Sequence, residues 1–297
     1  MRKSFLVFIF IISFINHAQI RTTNDTLSVK KVNEIGFDLT QNAFMNWNAG
    51  GNNAVSGILK ILFVRNYAKN NWQWSNELIM RYGLNKQEER EWRKTEDVFN
   101  LTSTFGYKQH HTDNWLYSAK FNLRTQFADG FNYPNNENPI SRLFAPAYWF
   151  LGVGSEYNNR DKQLNFYLSP LTQKTTFIFD NELSNRGAFG VKPGEKIRNE
   201  IGIFVSNVWK KEIYTNVVFE NRLTLFTDYF NNFGNVDFDW LVNFDLIVNK
   251  YIRANIQCNL VYDDDIKTTD VIDGQKVTSG PRVQLKQLLG VGMVYNF

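Results

Sequence analysis

Residues 115–127, WLYSAKFNLRTQF, put Trp115, Tyr117, Ala119, Phe121, Leu123, Thr125 and Phe127 at odd positions, with Leu116, Ser118, Lys120, Asn122, Arg124 and Gln126 between them. A period of two is a strand period, because successive side chains leave a pleated backbone on opposite faces. One face is apolar and aromatic at its ends; the other holds Lys120 and Arg124. A soluble sheet turns such an apolar face to a protein core, whereas a membrane barrel turns it to lipid. The rest of the chain decides between them.

The first residues, MRKSFLVFIFIISFINHAQI, run from Arg2 and Lys3 through an apolar stretch, Phe5 to Ile15, to the small Ala18. That is the layout of a secretory signal peptide, too short and wrongly flanked for a spanning helix, with cleavage expected after Ala18. Residues 19–34 read as a short periplasmic linker and 35–297 as one domain. No later run reaches the roughly eighteen apolar residues of a membrane helix. The sole cysteine, Cys258, excludes an intramolecular disulfide, and a net charge of +4 spread along the chain gives no basic stripe for nucleic acid.

Alternation recurs in about twelve segments of roughly the ten-residue tilted length a membrane barrel uses. The clearest are Trp72–Leu84, Phe99–Tyr107, Trp115–Phe127, Ile197–Val205, Trp240–Val248, Ile252–Tyr262 and Gln287–Phe297. Ile35–Trp47, Val55–Val64, Trp149–Tyr157, Leu164–Phe179 and Ile213–Leu225 are less regular, and Pro170, which cannot donate to a ladder, predicts a bulge or frayed end. Outer-membrane barrels have short periplasmic turns and longer external loops. From a periplasmic N-terminus the internal turns AKNN, KQHHTDN, NNRDK, WKKE and NK are short. External connections such as NKQEEREWRKTED and ADGFNYPNNENPISRLFAP are longer; the first hairpin, WNAGGNN, breaks the pattern.

Aromatic residues should form girdles at the two interfaces, where amphipathic rings meet headgroup and acyl chain. The periplasmic strand ends carry Trp72, Trp74, Trp115, Tyr157, Trp209 and Tyr295; the external ends carry Tyr82, Phe127, Trp149, Trp240 and Tyr262. The expected fold is therefore all-β: an antiparallel transmembrane barrel of about twelve strands in the outer membrane of a Gram-negative bacterium. The terminal Phe297 resembles the signal by which outer-membrane proteins meet their assembly machinery. Expected surroundings are outer-membrane lipid and lipopolysaccharide.

The hairpin at Trp47, Gly50, Gly51 and Asn53 has its own physical reading. The glycines permit the positive φ of a tight turn and the asparagine satisfies local backbone groups. The same four residues resemble the N-terminal motif of an uncharacterised, domain-of-unknown-function family of bacterial outer-membrane barrels. The resemblance implies the barrel fold and no particular activity.

Twelve strands about 4.8 Å apart and tilted about 40° give a backbone diameter of about 24 Å and an inner gap near 12 Å once side chains are subtracted. Candidate lumen-lining residues are Glu77, Arg81, Lys120, Asn122, Arg124, Arg198, Glu200, Asp245 and Arg253, with Lys60, Lys108, Arg222, Lys286, Glu156, Glu220 and Asp239 on the same faces, a basic surplus. Two readings follow. The charges hydrate a narrow passive channel with a mild preference for small anions. Alternatively, pairs such as Glu77 with Arg81 and Arg198 with Glu200 brace a non-conducting barrel that serves a structural or protein-binding role. After the signal, histidine occurs only at His110 and His111, in a predicted periplasmic turn, so no enzyme, catalytic residue, cofactor or metal is expected. The aspartates of DDDIKTTDVIDG, residues 263–274, miss calcium-loop spacing after Asp265.

Overall fold

The computed structural model describes residues 27–43, 52–110, 114–159, 161–231, 233–272 and 275–297. The signal-peptide segment, Trp47, Gly50, Gly51 and His111 lie outside them. The strands are β1 (Ser28–Asn42), β2 (Ala54–Lys69), β3 (Trp72–Gln87), β4 (Arg93–Tyr107), β5 (Trp115–Thr125), β6 (Gly130–Phe131), β7 (Pro139–Ser141), β8 (Ala147–Asn159) and β9 (Leu164–Phe177). They continue as β10 (Ile197–Tyr214), β11 (Val217–Asp228), β12 (Asp237–Ile247), β13 (Ile252–Tyr262), β14 (Lys267–Ile272), β15 (Gln275–Pro281) and β16 (Gln284–Asn296). Twelve of them, all but β6, β7, β14 and β15, form a closed antiparallel barrel in which β16 returns to β1. The two small hairpins decorate external loops. No helix among the described residues is long and apolar enough to cross a membrane.

The opening stretch shows why the barrel forms. In β5, Trp115 and Tyr117 are 55% and 66% exposed while Leu116 and Asn122 are 3% and 6% exposed, so the apolar face is the outer one. A closed barrel leaves no open edge in hydrocarbon and satisfies its backbone groups between strands. With an aliphatic outer belt that includes Leu151, Ile201, Ile256 and Leu289, this is an outer-membrane β-barrel. The girdle residues stack on neighbours along the outer wall. Ring centroids are 4.6 Å apart for Trp72–Tyr107, 5.2 Å for Trp115–Tyr157 and 5.3 Å for Trp209–Phe219. Tyr295–Phe297 and Trp149–Phe121 are 6.0 and 5.7 Å, and Tyr262–Phe238 is 5.8 Å. Trp74 Nε1 donates to Ser103 Oγ at 2.9 Å, and Trp240 Nε1 to Asn221 Oδ1 at 2.8 Å.

Several boundaries differ from the sequence reading. Strand β1 begins at Ser28, inside the segment read as linker, because its residues from Ser28 onward pair with β2. The turn expected at WKKE lies instead between Tyr214 and Val217, since β10 continues through Trp209 to Tyr214. The charged NKQEEREWRKTED segment is largely strand, leaving residues 88–92 between β3 and β4.

The bulge expected at Pro170 is present. Val153 and Ser155 of β8 face Leu171 and Leu168, so Ser169 and Pro170 together oppose Gly154. Ser169 Oγ lies 2.8 Å from Val153 O, and Tyr229 Oη donates to the Pro170 carbonyl. The extra residue shifts the phase of the strand. Tyr167 and Lys174, an odd number of positions apart, therefore share the inner face. Gly154 is needed by this close approach: a Cβ there would come within 2.7 Å of Ser169 Cα and closer still to the Leu168 carbonyl oxygen. Gly154→Ala is expected to cost about 1–3 kcal/mol, read as a lower denaturant midpoint of the refolded barrel. An unchanged midpoint would show that the bulge can move aside.

Candidate functional site

Side chains of the inner face meet across the barrel. Arg222 on β11 grips Glu77 on β3 with both terminal nitrogens, at 2.6 and 3.1 Å, and its Nε also contacts Glu220. Arg81 on β3 donates to Gln257 on β13 at 2.8 Å. Arg124 on β5 reaches Asp239 on β12 at 2.8 Å, and Lys286 on β16 pairs with Glu96 on β4. These struts narrow the lumen. Arg–carboxylate pairs of this two-pronged kind are directional as well as charged, so they fix the separation of opposite walls.

One wall is aromatic. Phe150 stands 5.4 Å from Phe204 and 6.1 Å from Phe226, and Tyr167 lies 6.2 Å from Phe204. Lys120 places Nζ 4.3 Å over the Tyr167 ring and 3.1 Å from Ser206 Oγ; Lys174 lies 5.1 Å over Phe226. The ring faces hold these cations against the wall. Asn122 is packed: its amide donates to Asn100 Oδ1 and Thr102 Oγ1, and its oxygen accepts from Arg124 Nε.

The struts themselves line a vestibule of about 410 Å³ toward the external side, in which Arg81, Arg124, Asp239 and Lys286 stand with Phe150 and Phe226 among others. Its external margin is a charged cluster in which Lys174 lies 2.6 Å from Asp237 and 3.6 Å from both Glu200 and Asp263. Arg198 pairs with Asp265 and, at 3.2 Å, with Glu200. Carboxylate oxygens of Asp237, Asp263, Asp264 and Asp265 lie within 4.8 Å of one another. The Lys174 ammonium and the Arg198 guanidinium offset part of that charge, on Asp237, Asp263 and Asp265. Beyond it, the external loops share a small core of Ala145, Ile178, Leu183 and Val191, clamped by Arg142 on Asp180 at 2.7 Å. The Leu183 amide, together with Arg142, holds the Asp180 carboxyl below its ordinary pKa.

The candidate residues are thus distributed as follows. Glu77, Arg81, Lys120, Asn122, Arg124, Arg198 and Glu200 lie on the inner face with the partners named above. Arg253 pairs with Glu34 at 3.0 Å, nearer the periplasmic end, and Asp245 pairs in register with Val218 and Asn255. Arg198 and Glu200 do pair, but Glu77 binds Arg222 and not Arg81. Lys108 lies in the turn after β4, where its N–H donates to Asn71 O, and not on the inner face. The basic surplus is offset by Glu34, Asp38, Glu96 and Asp237, which the sequence reading left out. Asn53 of the hairpin motif bonds Glu88 at 3.1 Å through both its backbone and side-chain nitrogens. The inward aromatics Phe150, Tyr167, Phe204 and Phe226 were also missed. For Tyr167 the signal available was Pro170, whose bulge resets the faces of β9.

Residues 39–131 match the model of a family described as "Protein of unknown function (DUF3078)", a stretch that contains Trp47, Gly50, Gly51 and Asn53. No curated protein shows significant sequence similarity. Among solved structures, the chain is similar to the COG4313 outer membrane channel from Pseudomonas putida F1, at 10% identity over 94% of this chain and 100% of that one, with a TM-score of 0.41. It is also similar to the NanC porin, at 11% identity over 89% of this chain and 97% of that one, TM-score 0.35. The translocator domain of the autotransporter NalP from Neisseria meningitidis is 10% identical over 94% of this chain and 90% of that domain, TM-score 0.34.

Proposed function

We propose that this outer-membrane barrel is a non-enzymatic, narrow passive channel of low conductance whose external vestibule admits small solutes and mildly favours anions. The observation that carries the reading is the charge balance at the struts. Arg124, Arg222 and Lys286 each face a carboxylate, whereas no carboxylate forms an ion pair with Arg81 or Lys120 among the described residues. Two cations without a direct ion-pair partner in a narrow passage raise the local concentration of anions. Insertion by the outer-membrane assembly machinery belongs to the same reading, as does contact with lipopolysaccharide.

The test is current through the purified barrel in planar bilayers under a salt gradient. The wild type is expected to conduct weakly with a reversal potential on the anion side. Lys120→Gln with Arg81→Gln should bring that potential toward zero, more so in dilute salt, because the Debye length of about 8 Å at physiological ionic strength lengthens on dilution. A folded but electrically silent wild type would favour the second reading, a braced structural or protein-binding barrel, for which the cross-lumen struts themselves speak.

A further inference from the structure

Outside the lumen, one rung of the outer wall near its periplasmic end is polar. On the outward faces of β1 to β4, Lys31 lies opposite Arg65, Arg65 opposite Asn76 and Asn76 opposite Ser103. The next outward rung toward the periplasm is apolar and aromatic, with Val29, Tyr67, Trp74 and Phe105 in register. The next rung toward the membrane centre holds Phe63, Leu78 and Leu101 beside Asn33, whose Nδ2 donates to Phe297 O at 2.6 Å. Hydrogen bonds satisfy the neutral end of the polar rung. Trp74 Nε1 donates to Ser103 Oγ at 2.9 Å, Ser103 Oγ to Asn76 Oδ1 at 2.8 Å, and Asn76 Nδ2 to the Arg65 carbonyl at 3.4 Å.

The charged end lacks a counterion. Arg65 Nη1 donates to the carbonyls of Val32 and Val64 at 3.2 and 2.8 Å, and its guanidinium carbon lies 5.8 Å from the centre of the Phe63 ring. Among the described residues neither Arg65 nor Lys31 forms an ion pair. Side chains directly opposite on antiparallel strands stand about 5 Å apart at Cβ, where like charges destabilise the pair. A cation on the lipid face also costs more the further it lies from the interface. One anion shared by both side chains removes the repulsion and supplies the missing counterion. A second copy of this chain, meeting the rung with its own, would add two further cations.

We propose that Lys31 and Arg65 hold the phosphate of a glycerophospholipid from the periplasmic leaflet. The guanidinium fork matches two phosphate oxygens, and the lysine ammonium adds a point charge from the neighbouring strand. Above the pair the outward residues are apolar, Phe63 and Ile61 on β2 against Leu78 and Met80 on β3, so an acyl chain has a continuous wall to follow. Below it, Tyr67 and Trp74, with ring centroids 5.6 Å apart, stand at headgroup level. The site lies on the outer wall and is independent of whether the lumen conducts.

The test gives Arg65 an internal partner. Lys31→Glu sets a carboxylate directly opposite it, an opposite-charge pair that should leave the barrel at least as stable in detergent while abolishing the anion site. Purified barrels in dodecyl maltoside are titrated with dimyristoyl phosphatidylglycerol, with dimyristoyl glycerol and with sodium phosphate, and bound molecules are counted by native mass spectrometry. The wild type is expected to retain a phosphatidylglycerol that Lys31→Glu, and Lys31→Gln with Arg65→Gln, bind at least tenfold more weakly. Dimyristoyl glycerol, which has the chains without the phosphate, should be retained by none of them, and inorganic phosphate should not displace the lipid. Equal retention by wild type and variants would mean nonspecific annular lipid, and displacement by phosphate alone would mean a site for free anions. A dimer lost in the variants would give the rung to a second copy. Each of these results, like no retention by the wild type, overturns the proposal.

Discussion

Phe121→Arg is expected to abolish most folded barrel on refolding into lipid, while Thr224→Lys leaves it nearly intact. Phe121 sits midway along β5, on the outer face, between Ser103 and Leu151 of the adjoining strands and edge-on to Trp149. An arginine on the lipid face near the midplane costs about 2–4 kcal/mol, a shift of roughly thirty- to several-hundred-fold in the folding equilibrium at about 1.4 kcal/mol per tenfold. Thr224 lines the vestibule and pairs in register with Asp239, so a lysine there gains water and a carboxylate. Its effect should fall within about 0.5 kcal/mol, the usual range for substitutions away from packed features. The measurement is the fraction migrating as the compact form on unboiled gels across a urea series. Similar losses in both variants would mean that the apolar face of β5 does not meet lipid.

The outer wall was legible because lipid imposes one rule on every strand. Alternation places Trp115, Phe121 and Leu123 on one face whatever their neighbours are, and loop length distinguishes the two ends. Small departures had local causes. The charged residues of β3 and β4 continue their ladder beyond the apolar belt, where polarity no longer distinguishes strand from loop. In β9 the bulge at Ser169 and Pro170 shifts the faces by one residue, which conceals Lys174 and Tyr167 from a strict period of two.

The lumen was legible in composition but not in pairing. Glu77 has Arg81 four positions away on its own strand, the proximity a sequence displays. Its partner is Arg222, on the opposite wall. Closure of the barrel brings β3 to β11 and β5 to β12, and no local pattern encodes which inner positions come level, since that depends on the accumulated shear of all intervening strands. The same shear sets Lys286 against Glu96 and turns an apparent basic surplus into a largely paired interior.

Arg222 is therefore the residue whose loss should change the lumen most. Arg222→Gln removes the bidentate strut to Glu77 and the contact to Glu220, leaving two carboxylates, of which Glu220 retains Lys210 at 3.1 Å. Breaking a fully buried pair costs about 3–5 kcal/mol. The Arg222 and Glu77 side chains remain 27% and 26% exposed to the lumen, so solvent screening reduces the expected loss to about 1–3 kcal/mol. Current should rise several-fold as the strut disappears, and selectivity should move toward cations because Glu77 is now bare. Glu77→Gln with Arg222→Gln removes both charges at once. That double variant should recover stability, since no uncompensated carboxylate remains, and keep the larger current without the cation shift. If Arg222→Gln weakens the barrel but leaves its current unchanged, the pair braces the walls without limiting passage, and the constriction lies with Arg81, Lys120 and the aromatic wall instead.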